Sequence, residues 1–210
     1  MLRFYTINAL FLVVFSLLLL LGFFGEVPVW LYLVFAFFWI AITVIGSFQI
    51  KLNYHLESFN HNHSTTENVV SITFDDGPNL EFTPKVLDLL NKHDAKATFF
   101  LIGKHAEQHP DLVKRIINEG HTIGNHTYSH SKSFGFFPTN KVISELNKAD
   151  EILKLILNKK AVLFRPPFGV TNPNIKRAIE KSGHHSIGWS KRSLLSDDLF
   201  FQSLFLYSDL

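Results

Sequence analysis

Cysteine is absent from all 210 residues, so disulfides and thiolate-held metals are both excluded. Any metal this chain carries must be held by His, Asp or Glu. There is also no block of Lys and Arg, and the formal charge is only +2, which leaves no footprint for a nucleic acid. No internal repeat is found, and no segment points to a protein partner. What the sequence has in excess is apolar residues. They make up 47% of the chain, mean hydropathy is +0.15, and most of the surplus falls before residue 50.

Residues 4–24 are apolar apart from Thr6, Asn8, Ser16 and Gly22, and a second apolar run covers 29–48. Each is close to the roughly 20 residues that an α-helix needs to cross about 30 Å of hydrocarbon. Gly25 and Pro28 suit a tight turn between them, and Trp30 and Tyr32 sit where interfacial aromatics belong. No A-x-A-like cleavage site follows the first run, which argues against a signal peptide. The expectation is a two-span membrane hairpin over 1–50, in contact with membrane lipid. Arg3 and Lys51 flank its ends while the loop carries only Glu26, so the positive-inside rule puts both ends in the cytoplasm. That count rests on two side chains and leaves the side of the following domain open.

Residues 51–67 are polar and rich in Asn, His and Ser, and read as a solvated linker. His55, His61 and His63 lack a companion carboxylate of fixed geometry and are read as loop residues. From 68 to 210 strands and helices alternate. Apolar strands are expected at 69–74, 97–102, 121–125, 162–164 and 185–189, with helices at 83–92, 111–118, 140–157 and 174–182. Such alternation implies an α/β fold with a parallel sheet, either doubly wound or a barrel.

Asp75, Asp76, His126, His130, Arg165 and Ser190 all fall at or just past the carboxyl ends of expected strands, where β/α barrels place their active sites. His126 and His130, three residues apart, can meet one metal. With one carboxylate from the Asp75-Asp76 pair they make a three-ligand site suited to zinc or another divalent ion. Either aspartate fits by chemistry alone.

Three segments occur in a telling order: Thr73-Phe74-Asp75-Asp76-Gly77-Pro78, His126-Thr127-Tyr128-Ser129-His130 and Arg165-Pro166-Pro167-Phe168-Gly169. Together they resemble the first three motifs of the polysaccharide deacetylases (carbohydrate esterase family 4, the NodB-homology domain). Ala97-Thr98-Phe99-Phe100 and Gly120-His121-Thr122-Ile123-Gly124-Asn125 resemble that family too. The resemblance implies a partial (β/α) barrel of the polysaccharide deacetylase type behind the two transmembrane helices. It implies Asp76, His126 and His130 as ligands of one divalent metal, zinc first, with cobalt, manganese or nickel as alternatives. Asp75 would be the general base and Arg165 its positioning partner. Phe168 would lend a backbone N–H to the oxyanion, and Trp189 would wall the acetyl methyl group; His121 is read as structural. The activity implied is removal of N-acetyl groups from amino sugars in a polysaccharide, peptidoglycan or lipid-linked glycan.

The chain also departs from that pattern. No Leu-x-His motif, the family's source of a general acid, occurs anywhere in it. His184 and His185 open the fifth strand at the opposite end from the site. The five expected strands fall short of a full barrel and would leave a sheet edge exposed. The apolar tail, with 199–201 and 204–206, lacks strand-helix punctuation, so the catalytic domain is expected to be incomplete at its C-terminus. The alternative function is a degenerate, catalytically impaired membrane protein that binds sugar or metal.

Overall fold

The computed structural model describes residues 3–25, 27–61, 69–192 and 202–207. Its chain opens with α1 (Phe4–Phe24) and α2 (Val29–Phe48), a pair joined by a short turn. Only 6% of each helix's apolar window is buried, so these are not the core helices of a globular domain. Both are long and apolar enough to span a membrane. Polar groups inside the hairpin are satisfied across it: the Trp39 indole N–H donates to the Asn8 side-chain oxygen (3.0 Å) and Tyr32 O–H to the Leu18 carbonyl (3.0 Å). In an apolar surround each unpaired group would cost several kcal/mol. Phe35 packs on Phe11 and Phe15, at ring distances of 4.7 and 6.0 Å.

The start of the expected linker is not solvated. Tyr54, His55, Leu56, Ser58 and Asn60 are buried. Tyr54 packs beneath Gly46 of α2, where a side chain would collide with its ring, and its carbonyl accepts the Phe4 N–H at 2.9 Å. Phe59 forms a parallel bridge with Ile187. This stretch therefore ties the hairpin to the following domain. Its polar composition hid that, because Ser58 and Phe59 find their partners, Ser186 and Ile187, more than a hundred residues away. His63 and the rest of 62–68 lie outside the described residues.

The domain carries β1 (Val69–Gly77), α3 (Phe82–Lys92), β2 (Ala97–Leu101), α4 (Gly103–Gln108), α5 (Pro110–Asn118), β3 (Thr122–Asn125), α6 (Thr139–Leu157), β4 (Leu163–Phe164), α7 (Pro173–Ser182), β5 (His185–Ser186), β6 (Lys191–Arg192) and β7 (Gln202–Tyr207). The sheet order is β5-β4-β3-β2-β1-β7-β6, with β1 to β5 parallel. Strands that follow one another in space as in sequence wind as a barrel does. A doubly wound sheet would reverse direction at a switch point. The sequence left these two open, and the order resolves them.

Two expectations need correction. The free edge of β1 is covered: 202–207, read as tail without strand punctuation, forms β7 antiparallel to β1 from Val69↔Tyr207 to Phe74↔Gln202. An unpaired strand edge is a ready template, and a strand-length apolar segment returning to it satisfies both. The fifth strand stops at Ser186 and not at 189, because the carbonyls of Ile187 and Gly188 accept from Arg165 instead.

Helix ends follow local chemistry. Asn172 caps α7 by accepting the Ile175 N–H at 2.9 Å, and Gly183, at φ 71°, ends it in the left-handed conformation that glycine adopts without strain. Two apolar clusters fix the sheet. Phe74, Phe99 and Leu101 meet Leu87, Val113, Ile116 and Leu153, while Phe164 meets Phe134, Val142, Leu146, Ile175 and Ile179.

Candidate metal centre and active site

Neighbouring residues of a regular strand point to opposite faces, yet Asp75 and Asp76 belong to one site. The β1–β2 register shifts between Phe74 and Gly77, and Asp76 takes a left-handed φ of 67°. That break lets both carboxylates reach the sheet's carboxyl rim. His105 Nδ1, 3.0 Å from the Asp76 carbonyl, holds the unusual backbone in place.

The histidines come from a loop, not a helix. His126 follows β3 directly, and left-handed residues at Thr127 (φ 66°) and His130 (φ 46°) curl the chain back. Asn125 stabilises the curl: its side-chain oxygen accepts the Thr127 N–H at 2.8 Å, while its amide donates to the Leu146 carbonyl and to Asp150. The Thr127 hydroxyl accepts the His130 N–H at 3.1 Å. The two imidazoles then face each other at 4.9 Å between ring centres.

Asp76 Oδ1 lies 3.3 Å from His126 Nε2 and 3.1 Å from His130 Nε2, and ligand atoms of the three residues all fall within 4.8 Å of one another. His126 Nδ1 is 2.7 Å from the Arg165 carbonyl. A proton on Nδ1 makes that hydrogen bond and turns the Nε2 lone pair toward Asp76, the arrangement usual for a metal-ligating His. Asp76 Oδ1 is buried and accepts no well-formed hydrogen bond. Two nitrogen lone pairs and an anionic oxygen meeting at one point need a positive charge among them. The three residues therefore fit a divalent cation and could hold one.

The titration behaviour reflects the same need. Burial pushes the Asp76 pKa up, but His126, His130 and His105 outweigh it and leave the carboxyl below its ordinary value. Burial also pushes His126 down, yet Asp76 and Asp75 raise it overall. His130 is lowered to about 4, first by burial and then by His126.

Beside this cluster Arg165 is fully buried. Its Nη1 donates to Asp75 Oδ1 and to the Thr73 hydroxyl, both at 2.7 Å, its Nη2 to the Gly188 carbonyl at 2.8 Å, and its Nε to the Ile187 carbonyl at 3.2 Å. The guanidinium also stacks over Phe100 at 4.2 Å. Trp189 lies 5.7 Å from that guanidinium and covers Gly169, leaving no room there for a side chain. Phe168 has a left-handed φ of 59° and its ring sits 4.8 Å from that of His130.

The structure thus gathers Asp75, Asp76, His126, His130, Arg165 and Phe168, with Trp189 behind Arg165. His121 is buried at the far end of β3, accepting the Ala97 N–H, in keeping with a structural reading. His184 is buried against Ser182 and Asp150, away from the cluster. Sequence reasoning missed His105 and gave Thr73 no role. His105 stands just past the carboxyl end of β2, so the rule that found the others would have found it.

Residues 62–187 match the family described as polysaccharide deacetylase. A peptidoglycan-N-acetylglucosamine deacetylase of Bacillus cereus is 45% identical over 121 residues, covering 58% of this chain and 44% of its own length. A family 4 carbohydrate esterase from Streptomyces lividans, solved in complex with acetate, superposes with a TM-score of 0.56 at 29% identity, over 60% of this chain and 65% of the other. A family 4 pseudoenzyme from Bacillus anthracis superposes at 0.53 with 27% identity, over 56% and 42%. The chain spans about half the length of the curated relatives it matches. With the match running over more than half of its residues, the chain belongs to the polysaccharide deacetylase family.

Proposed function

We propose that this chain is a metal-dependent hydrolase that removes N-acetyl groups from amino sugars in a polysaccharide, peptidoglycan or lipid-linked glycan. The observation that carries the reading is the convergence of Asp76, His126 and His130 beside the Asp75–Arg165 pair. Two imidazole nitrogens and a carboxylate suit zinc first, with cobalt, manganese or nickel compatible. A divalent ion held there would acidify water and polarise the acetyl oxygen.

The chain's own groups divide the remaining work. Asp75, fixed by Arg165, takes the proton from the attacking water. The Phe168 N–H, on a backbone turned to a φ of 59° beside the His130 ring, binds the oxyanion that develops on the acetyl oxygen. Trp189 closes the wall against which the acetyl methyl group lies. The C–N bond breaks as the proton taken from water passes to the sugar nitrogen, so the products are the free amine and acetate. The relatives' peptidoglycan deacetylase activity supports this choice of bond.

The hairpin α1–α2 anchors the domain in a membrane, with Arg3 and Lys51 on the same side.

A second reading is a protein that binds sugar or metal without turnover. It is favoured by the likeness to a pseudoenzyme. Acetate release from chitooligosaccharides by the zinc-loaded chain, stopped by a chelator, is the expected result. Zinc and sugar bound with no acetate released would favour the second reading.

A further inference from the structure

We propose that a groove between the end of α2 and the loops framing the metal site holds the apolar chain of a lipid-linked amino sugar. This rests on the deacetylase reading above and narrows its substrate class. The groove has a volume of about 490 Å³, within the range of about 300–1,000 Å³ usual for small-molecule sites. Val44 and Phe48 of α2 form one wall. Phe136, from the loop after β3, and Val170 and Phe168, from the loop after β4, form the other.

Three relationships favour a chain that arrives from a bilayer. First, the α2 wall is the last part of a helix long and apolar enough to span a membrane. A tail lying along that helix reaches the groove without crossing water. Exposed apolar surface costs about 25 cal/mol per Å², and Phe136 is 88% exposed, with Val44, Phe48 and Phe168 exposed beside it. Second, the groove opens onto the site, because Phe168 lines it and also touches His130, ring to ring, at 4.8 Å. Third, Lys132, two residues beyond His130, is the single charged residue of the lining among the described residues. A lysine there complements the phosphate that joins a lipid chain to its sugar. The walls are also fixed to each other, since the Thr171 N–H donates to the Ser47 carbonyl at 2.9 Å. A soluble glycan offers neither an apolar chain nor an anionic link, and would leave these features unused.

The test uses the full chain in detergent micelles, with a fluorescent isoprenyl monophosphate as the binding probe and no metal added. Val44→Trp fills the groove and Lys132→Glu reverses its charge; retained helical circular dichroism checks that each variant folds. Each variant is expected to weaken probe binding about tenfold. With zinc added, each is expected to lower by about tenfold the ratio of kcat/KM for isoprenyl-phosphate-linked N-acetylglucosamine to that for chitotetraose. Equal probe binding by the wild type and both variants overturns the proposal, as does equal competition by ordinary phospholipid or a dimer that Val44→Trp dissociates. If chitotetraose is deacetylated but the variants change nothing, the groove assignment fails and the deacetylase reading stands. If the variants weaken probe binding but neither sugar loses acetate, the deacetylase reading fails and the substrate assigned here falls with it.

Discussion

Asp75 and Asp76 are adjacent in the chain, yet their carboxylates serve different partners. Asp75 Oδ1 accepts from Arg165 at 2.7 Å, while Asp76 Oδ1 lies 3.1 Å from His130 Nε2. The register shift at the end of β1 makes this division possible. Exchanging either carboxylate for an amide separates the two roles. Asp76→Asn is expected to abolish zinc binding. Asp75→Asn is expected to keep zinc and to lower acetate release about 10²–10⁴-fold. Equilibrium dialysis with zinc and an acetate assay on both variants check this. Equal loss of zinc in both would merge the roles.

Arg165 is the hub of the buried polar network: among the described residues, four acceptors and two aromatic faces surround it. Arg165→Met strands a buried carboxylate at Asp75, and removing one partner of a buried pair costs about 3–5 kcal/mol. Arg165→Lys cannot reach all four acceptors from one ammonium and is expected to fall between Met and wild type. Urea denaturation followed by Trp fluorescence reads the difference. A Met variant as stable as the wild type would remove Arg165 from this role.

His55 predicts a pH response where the hairpin meets the domain. It is buried, its Nε2 lies 2.9 Å from the Ser47 hydroxyl, and burial followed by the charge of Lys176 pushes its pKa down to about 4. A histidine depressed in the folded state stabilises fully above its unfolded value near 6.5 and loses that contribution as pH falls from there toward 4. At about 1.4 kcal/mol per pKa unit, the docking is expected to weaken by about 1–3 kcal/mol across that window. Hydrogen exchange at the Thr171 amide, corrected for its intrinsic rate, reads it, and His55→Phe is expected to flatten the response. An unchanged slope in that variant would assign the effect elsewhere.

Much of this was legible in the sequence because its signals are local. Apolar runs gave α1 and α2 within a residue, and the strand-helix rhythm gave the five parallel strands and four of the helices. The site residues stood out because strand ends gather them on one rim. What stayed hidden depends on distant partners. The docking of Tyr54 and Phe59 rests on Phe4 and Ile187, and β7 is a strand because β1 offers it an edge. The left-handed turns at Thr127 and Phe168 fall on residue types that give no warning of them. They are imposed by the contacts around them.

The account stands on three side chains sharing one divalent ion. X-ray absorption at the zinc edge of the dialysed full chain tests that most directly. One zinc per chain with nitrogen and oxygen ligands at about 2.0–2.2 Å, lost in His126→Ala and in His130→Ala, is the predicted result. Zinc retained unchanged by both alanine variants, or no zinc bound by the wild type, would contradict it.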